Sequence, residues 1–235
     1  MQRYFLDDQQ QIKKDDWHHI LTVMRMQSGD EIELCTTTGD CFLAKLAIDN
    51  SPLKYEIIKL LDSADNTGKI TLIQGIGKGD KNEFVVKYAT QFGVDQIIFI
   101  EMKRSISKMD DQTWHKKKDR YDKIALESAR LAHRNTVPTI DFLPNIKALN
   151  GDFSHAFVAY ENDRKAVFLD KIEGIKNGDS IALLIGPEGG IDELEMALLK
   201  DKGFISVGLG NRILQTEVAC LYGLAIIDGV LERKR

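Results

Sequence analysis

The stretch Ile185-Gly-Pro-Glu-Gly-Gly190 has a composition that folding alone does not demand. Gly186, Gly189 and Gly190 allow backbone conformations and close approaches that a Cβ forbids. Pro187 stiffens the turn between them. Such a loop presents bare peptide groups to a flat ligand. Glu188, Asp192, Glu193 and Glu195 cluster around the predicted helix start that follows, and Asp192 and Glu195 have the spacing of a capping pair. Carboxylates gathered there repel a phosphate. They suit a ligand that has no phosphate and carries positive charge. The plainer alternative is an ordinary turn before a well-capped helix.

S-adenosyl-L-methionine meets that description, with an adenosine, a cationic sulfonium and no phosphate. A second stretch, Leu209-Gly-Asn-Arg-Ile-Leu-Gln-Thr-Glu217, lies between the last predicted strand and the last predicted helix. Thr216 and Glu217 are polar groups at the entry of an apolar helix. Here the alternative is level with the functional reading: Asn211 starts the helix and Arg212 is a surface charge. Gly75-Ile-Gly-Lys-Gly79-Asp80 also sits between a strand and a helix, but Asp80 stands where a dinucleotide loop needs its third glycine. No G-x-x-x-x-G-K-[ST] pattern occurs either, which disfavours a nucleotide-dependent enzyme. Lys78 and Lys81 remain candidates for an RNA backbone. Adjacent His18 and His19 point in different directions on a helix and make a poor chelate, so no metal site is expected.

The elements that position these loops change character along the chain. Up to about residue 66 the pattern is mostly β. Glu31–Thr38, Cys41–Ile48 and Lys54–Leu61 alternate as strands, and Trp17–Met26 reads as one helix capped by Asp15 or Asp16. Short strands with one helix suggest a small barrel. The polar stretch from Asp62 to Gly68 marks a boundary. Beyond it, strands at 70–75, 96–100, 156–160, 181–185 and 205–207 alternate with helices at 81–92, 115–133, 192–202 and 214–231. That alternation predicts an α/β domain with a parallel sheet covered on both faces. Both glycine-rich loops then fall at the carboxyl ends of strands, where open α/β sheets bind ligands.

Composition narrows the function classes. The 235 residues carry 43% hydrophobic and 29% charged side chains, with a formal net charge of −4. That balance supports a buried core and argues against a uniformly basic surface. From Lys103 to Arg134, ten Lys or Arg stand against five Asp or Glu, a local net of +5. A basic patch of this kind can hold RNA, although a solvated helix face is the commoner explanation. No apolar run is long enough for a signal peptide or a membrane span, so a cytoplasmic protein is expected. Cys35, Cys41 and Cys220 form no C-x-x-C pair, and Cys35 and Cys41 are expected to be reduced fillers of a hairpin.

Taken together, the motifs resemble the bacterial 16S rRNA (uracil-N3)-methyltransferase family of the SPOUT superfamily. The resemblance runs over nearly the whole chain, through Arg3-Tyr-Phe5, His18-His-Ile-Leu-Thr-Val-Met-Arg25 and Ser28-Gly-Asp-Glu-Ile32. It continues through Lys78-Gly-Asp-Lys81, Phe92-Gly-Val94, Arg104-Ser105, Arg120-Tyr-Asp-Lys-Ile-Ala-Leu-Glu127, Arg134 and Val137-Pro138. Leu184-Ile-Gly-Pro-Glu-Gly-Gly190 and Leu209-Gly-Asn-Arg-Ile-Leu214 are its most specific parts. It implies a PUA-like RNA-binding β-barrel over 1–66 and a SPOUT methyltransferase domain over 70–235 with a C-terminal trefoil knot, used as a homodimer. It implies S-adenosyl-L-methionine as cofactor, S-adenosyl-L-homocysteine as product, and 16S rRNA or the assembled small subunit as partner.

By position, the resemblance places Leu184, Gly186, Pro187, Glu188, Gly190, Leu209, Gly210, Ile213, Leu214 and Thr216 at the cofactor. Arg212 is then a candidate to stabilise the anionic uracil, and Glu217 to accept the N3 proton or orient Arg212. Arg3, Arg25, Lys81, Arg104 and Arg134 are candidate RNA contacts. The target base has to leave its stack to be reached. The chain departs from the family pattern at Leu131, Asn211, Gln215 and Val218, where Gln, Pro, Arg and Thr are usual; Gln215 removes a charge near the RNA. A ribose 2′-O-methyltransferase on the same scaffold is the nearest alternative. A non-catalytic RNA-binding module with a decayed pocket is the next.

Overall fold

A computed structural model describes residues 1–48, 53–63, 65 and 68–234. The chain divides into two compact units. The first is Met1–Asp65 together with Ala129–Val137, and the second is Asn66–Ser128 together with Pro138–Arg235. A single cut between 66 and 70 therefore misses a returning segment. The reason lies in side chains with no local sequence signature. The Arg134 Nε donates to Asp65 at 2.8 Å, and the Asn135 amide donates to the Gly39 carbonyl at 2.9 Å. Within the predicted boundary stretch, residues 64, 66 and 67 lie outside the described residues.

In the first unit, β1 (Arg3–Phe5), β2 (Glu31–Cys35), β3 (Cys41–Ala47) and β4 (Lys54–Leu60) form one sheet in that order. Strand β1 runs parallel to β2, and the rest are antiparallel. Alternation places Ile32 and Leu34 in the core, with Tyr4, Leu6 and Ile20. The expected helix is a short α1 (Lys14–His18) continued by a π-helical turn (His19–Val23). Its N-cap is Lys13, not Asp15 or Asp16, and no side chain caps it. Asp16 is instead buried, accepting from Arg130 at 2.6 Å. Cys35 and Cys41 face each other across the β2–β3 ladder and are joined as a disulfide, which corrects the expectation of two free thiols. Register explains the pairing, because directly opposed residues bring their Cβ atoms into bridging range.

The second unit holds β5 (Lys69–Gly75), β6 (Gln96–Ile100), β7 (Thr139–Leu143), β8 (His155–Ala159), β9 (Ser180–Ile185) and β10 (Ile205–Val207). They form a parallel sheet in the order β10-β8-β9-β5-β6-β7. Its helices are α2 (Lys81–Gln91), α3 (Asp111–Leu131), α4 (Phe168–Ile172), α5 (Glu193–Asp201) and α6 (Thr216–Glu232). Strands buried on both faces read as apolar runs, as in Ile181–Ile185. The sequence pattern misses β7, an edge strand with Thr139 and Asp141 exposed, and the two-turn-or-shorter α4. Helix α3 starts four residues earlier than expected, where Asp110 accepts from the Thr113 backbone at 2.8 Å. Strand order reverses between β5 and β9, and the crevice beyond their carboxyl ends is where such sheets bind ligands. Among the described residues no helix is long and apolar enough to cross a membrane.

Candidate functional site

The carboxyl ends of β8, β9 and β10 open into a cavity of about 500 Å³, a size suited to a small ligand. Its walls are the loop Gly186–Gly190, the loop from Gly208 to Gln215, the first turn of α6 and Tyr160-Glu161 after β8. Local packing explains the glycines. A Cβ on Gly186 would stand 2.7 Å from Ile191 Cγ1, and one on Gly189 would stand 2.6 Å from the Arg104 carbonyl oxygen. Gly190 holds φ at +72° with the Glu161 carboxylate against it. The loop is therefore pinned to its neighbours, with all five of its residues lining the cavity. Helix α6 begins at Thr216, so Leu209–Leu214 is loop, and Asn211 does not start the helix.

Two contacts tie the cavity walls together. The Thr216 hydroxyl donates to the Gly186 carbonyl at 2.6 Å. The Lys81 ammonium lies 3.3 Å from Glu188 and 3.2 Å from Glu217. One ammonium between two carboxylates makes a net negative cluster, of which Lys81 and Glu188 line the cavity. Burial pushes the Glu188 carboxyl up, but the backbone N–H of Lys78, its own backbone N–H and Lys81 outweigh this and hold it below its ordinary 4.5. Burial likewise opposes charge on Lys81, and Glu217 and Glu188 overcome it and raise its pKa.

The sign of the Glu188 shift gives a test. A carboxyl lowered in the folded state stabilises the fold above its unfolded value and stops doing so as pH falls through the folded one. Glu188→Gln is expected to lower the melting temperature at neutral pH. The difference from wild type should begin to narrow as pH falls below the ordinary 4.5 and close as it passes through the lowered folded value. Thermal melts across pH measure it, and a difference that persists unchanged at pH 3 would contradict the assignment.

The other expected acids are mostly engaged. Asp192 caps α5 and accepts from the Leu194 backbone at 3.2 Å, while Glu195 accepts from the Asp192 backbone at 3.3 Å, completing a capping box. Lys103 meets both, through its ammonium at 3.0 Å from Asp192 and its backbone N–H at 2.8 Å from Glu195. Glu188 is thus the member of that cluster that faces the cavity.

The structure brings together Gly186, Pro187, Glu188, Gly190, Leu209, Gly210, Ile213, Leu214 and Thr216, with Arg212 beside them. Leu184 is not among the lining residues: it is fully buried within β9 and packs in the sheet core. Glu217 stands behind Lys81, off the cavity wall. Lys81 lines the cavity, held between acids, instead of lying free for an RNA backbone. Arg3 and Arg134 are 5% and 3% exposed. Each is bound to an acid of its own unit, Arg3 to Glu33 at 2.7 Å and Arg134 to Asp65 at 2.8 Å, so neither is free for RNA. Arg25 and Arg104 are exposed and remain accessible. Sequence reasoning missed Tyr160 and Glu161, which sit in a loop of ordinary composition. It also missed Gln74, although a polar residue inside the apolar run of β5 is a visible signal. Among the described residues no group of three or more His, Cys, Asp or Glu could hold a metal ion.

Comparison with known proteins agrees with this geometry. Residues 64–228 match the family described as RNA methyltransferase domain, and residues 12–58 match the one described as RNA methyltransferase PUA domain. The chain is similar to ribosomal RNA small subunit methyltransferase E of Bacillus subtilis, at 34% identity over 97% of this chain and 96% of the relative. It is similar to the same-named protein of Buchnera aphidicola subsp. Schizaphis graminum at 30% identity, covering 96% and 93%. Among solved structures, a ribosomal RNA small subunit methyltransferase E from Neisseria gonorrhoeae, bound to S-adenosyl methionine, superposes with a TM-score of 0.83 at 26% identity over 98% of each chain.

Proposed function

Because the chain belongs to the ribosomal RNA small subunit methyltransferase E family of RNA methyltransferases, we propose that it methylates N3 of a uridine in 16S rRNA. S-adenosyl-L-methionine is the proposed cofactor. The cavity of about 500 Å³ between Gly186–Gly190 and Leu209–Thr216 carries this proposal. Its residues fit the compound: a loop held close by glycine packing, the Glu188 carboxylate at the wall within a net negative cluster with Lys81 and Glu217, and no phosphate-loop pattern. When bound, the cofactor supplies the methyl group and leaves as S-adenosyl-L-homocysteine.

The chain's own residues divide the remaining tasks. Gly186, Glu188 and Gly190 hold the cofactor from one side, and Leu209, Gly210, Leu214 and Thr216 from the other. Uridine N3 carries a weakly acidic proton, so its reactive form is scarce at neutral pH. Arg212 lines the cavity and, among the described residues, makes no ion pair or hydrogen bond. Its guanidinium is therefore available to stabilise the uracil anion left when the N3 proton passes to solvent water. Glu217 acts in this reading by fixing Lys81, which replaces the proton-accepting role expected from its position alone. Of the two domains implied by the resemblance, the PUA-like one over 1–66 offers Arg25 to an RNA backbone and the methyltransferase one over 70–235 offers Arg104. A homodimer is proposed as the working form, supported by the exposed apolar Val218 and Tyr222 on α6 and by Ile213, which is 83% exposed.

Calorimetry of the purified chain with S-adenosyl-L-homocysteine tests the proposal. Binding at one site per chain is expected, lost on filling the cavity with Gly210→Trp. A wild-type chain that binds no S-adenosyl compound would leave an RNA-binding module and refute the enzyme.

A further inference from the structure

Gln74 is the penultimate residue of β5, paired in register with Ile185 of β9 and Phe99 of β6. It is 1% exposed, a carboxamide within an apolar sheet. Its Nε2 donates to the Thr216 hydroxyl at 2.8 Å and approaches the Gly75 carbonyl at 3.2 Å. Thr216 has a single hydroxyl hydrogen, and it goes to the Gly186 carbonyl at 2.6 Å. The hydroxyl must therefore accept from Gln74, which fixes the orientation of the carboxamide. Its Oε1 is left buried with no hydrogen-bond partner among the described residues. Buried polar groups are normally satisfied, and methionine would fill this space without an orphaned oxygen. Fold stability alone does not account for a glutamine here.

We infer that Gln74 is a positioning residue of the cofactor cavity, acting through Thr216 to hold the entry of α6 at a fixed distance from the peptide of Gly186. The relay spans both cavity walls: Gln74 from the sheet, Thr216 from the second loop, Gly186 from the first. Without it, the two walls keep their packing but lose their common anchor. The inference rests on the cavity being the cofactor site.

Gln74→Met separates a positioning role from a structural one. S-adenosyl-L-homocysteine affinity is expected to weaken about tenfold, the scale of one buried hydrogen bond. The melting temperature of the free protein should stay level or rise, because the orphaned oxygen is gone. Thr216→Ser, which keeps the hydroxyl, should retain affinity, and Thr216→Val should lose it. Gln74→Met combined with Thr216→Val should lose no more than the larger single effect, as links of one relay do. Wild-type affinity in folded Gln74→Met, a fall in melting temperature that parallels the affinity loss, or fully additive losses in the double variant each overturn the inference. Should Gln74→Met fail to fold, equal affinities of the serine and valine variants at 216 overturn it. A wild-type chain that binds nothing refutes the methyltransferase proposal itself; a wild type that binds as well as Gln74→Met refutes only this inference.

Discussion

Gly75→Ala is expected to weaken S-adenosyl-L-homocysteine binding by at least about a hundredfold while leaving a folded protein. A Cβ at this position would press into the Pro187 nitrogen and stand 2.7 Å from Pro187 Cδ and 2.8 Å from the Gly186 carbonyl carbon. These are backbone or ring atoms and cannot rotate away. Strand β5 cannot yield, because it is paired with β6 and β9 on its two sides. The pairing with β9 ends at Gln74 and Ile185, so Gly75 lies directly under the first cavity loop. The loop has to move, and with it Gly186 and Glu188. Overpacking of this kind destabilises by about 1–3 kcal/mol. For a chain of this length that is a drop of roughly 2–12 °C in melting temperature. A misplaced loop, by contrast, removes several cofactor contacts together. Calorimetry beside a thermal melt reads both quantities. Wild-type affinity in the alanine variant would show that the loop does not shape the site.

Arg212→Ala is expected to reduce kcat by about 10²–10³-fold, the usual loss of a group that stabilises developing negative charge. Cofactor affinity and melting temperature should change little. Arg212 has no internal ion pair or hydrogen bond among the described residues, so its removal strands no partner. Arg212→Lys should recover only part of the rate, since a point charge cannot address two positions of a planar anion as a guanidinium does. The split is diagnostic: a loss confined to KM for RNA would assign Arg212 to backbone binding instead. Single-turnover methyl transfer at saturating cofactor and RNA measures it. Both variants probe the same cavity from opposite sides, one through the loop that forms it and one through the charge that works in it.

How much of this was legible in the sequence depended on whether the signal was local. The parallel sheet followed from apolar runs between amphipathic helices, and every strand but the missed edge strand β7 lies within a residue or so of its expected range. Both cavity loops were legible because glycine and proline mark backbone requirements that neighbouring residues do not alter. Long-range pairing was not legible. Nothing near Arg3 or Arg134 in the chain announces that Glu33 and Asp65 will bury them. Lys81 looked like a free cation beside a flexible loop until the fold placed Glu188 and Glu217 around it. The segment 129–137 carries no compositional break, and long-range bonds such as Arg130 to Asp16, Arg134 to Asp65 and Asn135 to Gly39 tie it to the first unit. Cys35 and Cys41 flank a recognisable hairpin, yet their pairing depends on a register that spacing alone did not fix.

The division of charge in the site has a chemical consequence. Lys81 with its two acids forms a net negative cluster beside Gly186–Gly190, while Arg212 on the opposite loop makes no ion pair among the described residues. A cationic cofactor and an anionic base would then each meet the opposite sign. A ribose 2′-hydroxyl needs deprotonation at a less acidic oxygen and gains less from a planar cation beside it, which favours the base as target.

The decisive measurement is nucleoside mass spectrometry of 16S rRNA taken from cells lacking this protein and incubated with the purified chain and methyl-labelled S-adenosyl-L-methionine. The account predicts labelled 3-methyluridine, absent before incubation and absent with Arg212→Ala on the same timescale. Label on a ribose 2′-oxygen, or no transfer to either free rRNA or assembled small subunits, would contradict it.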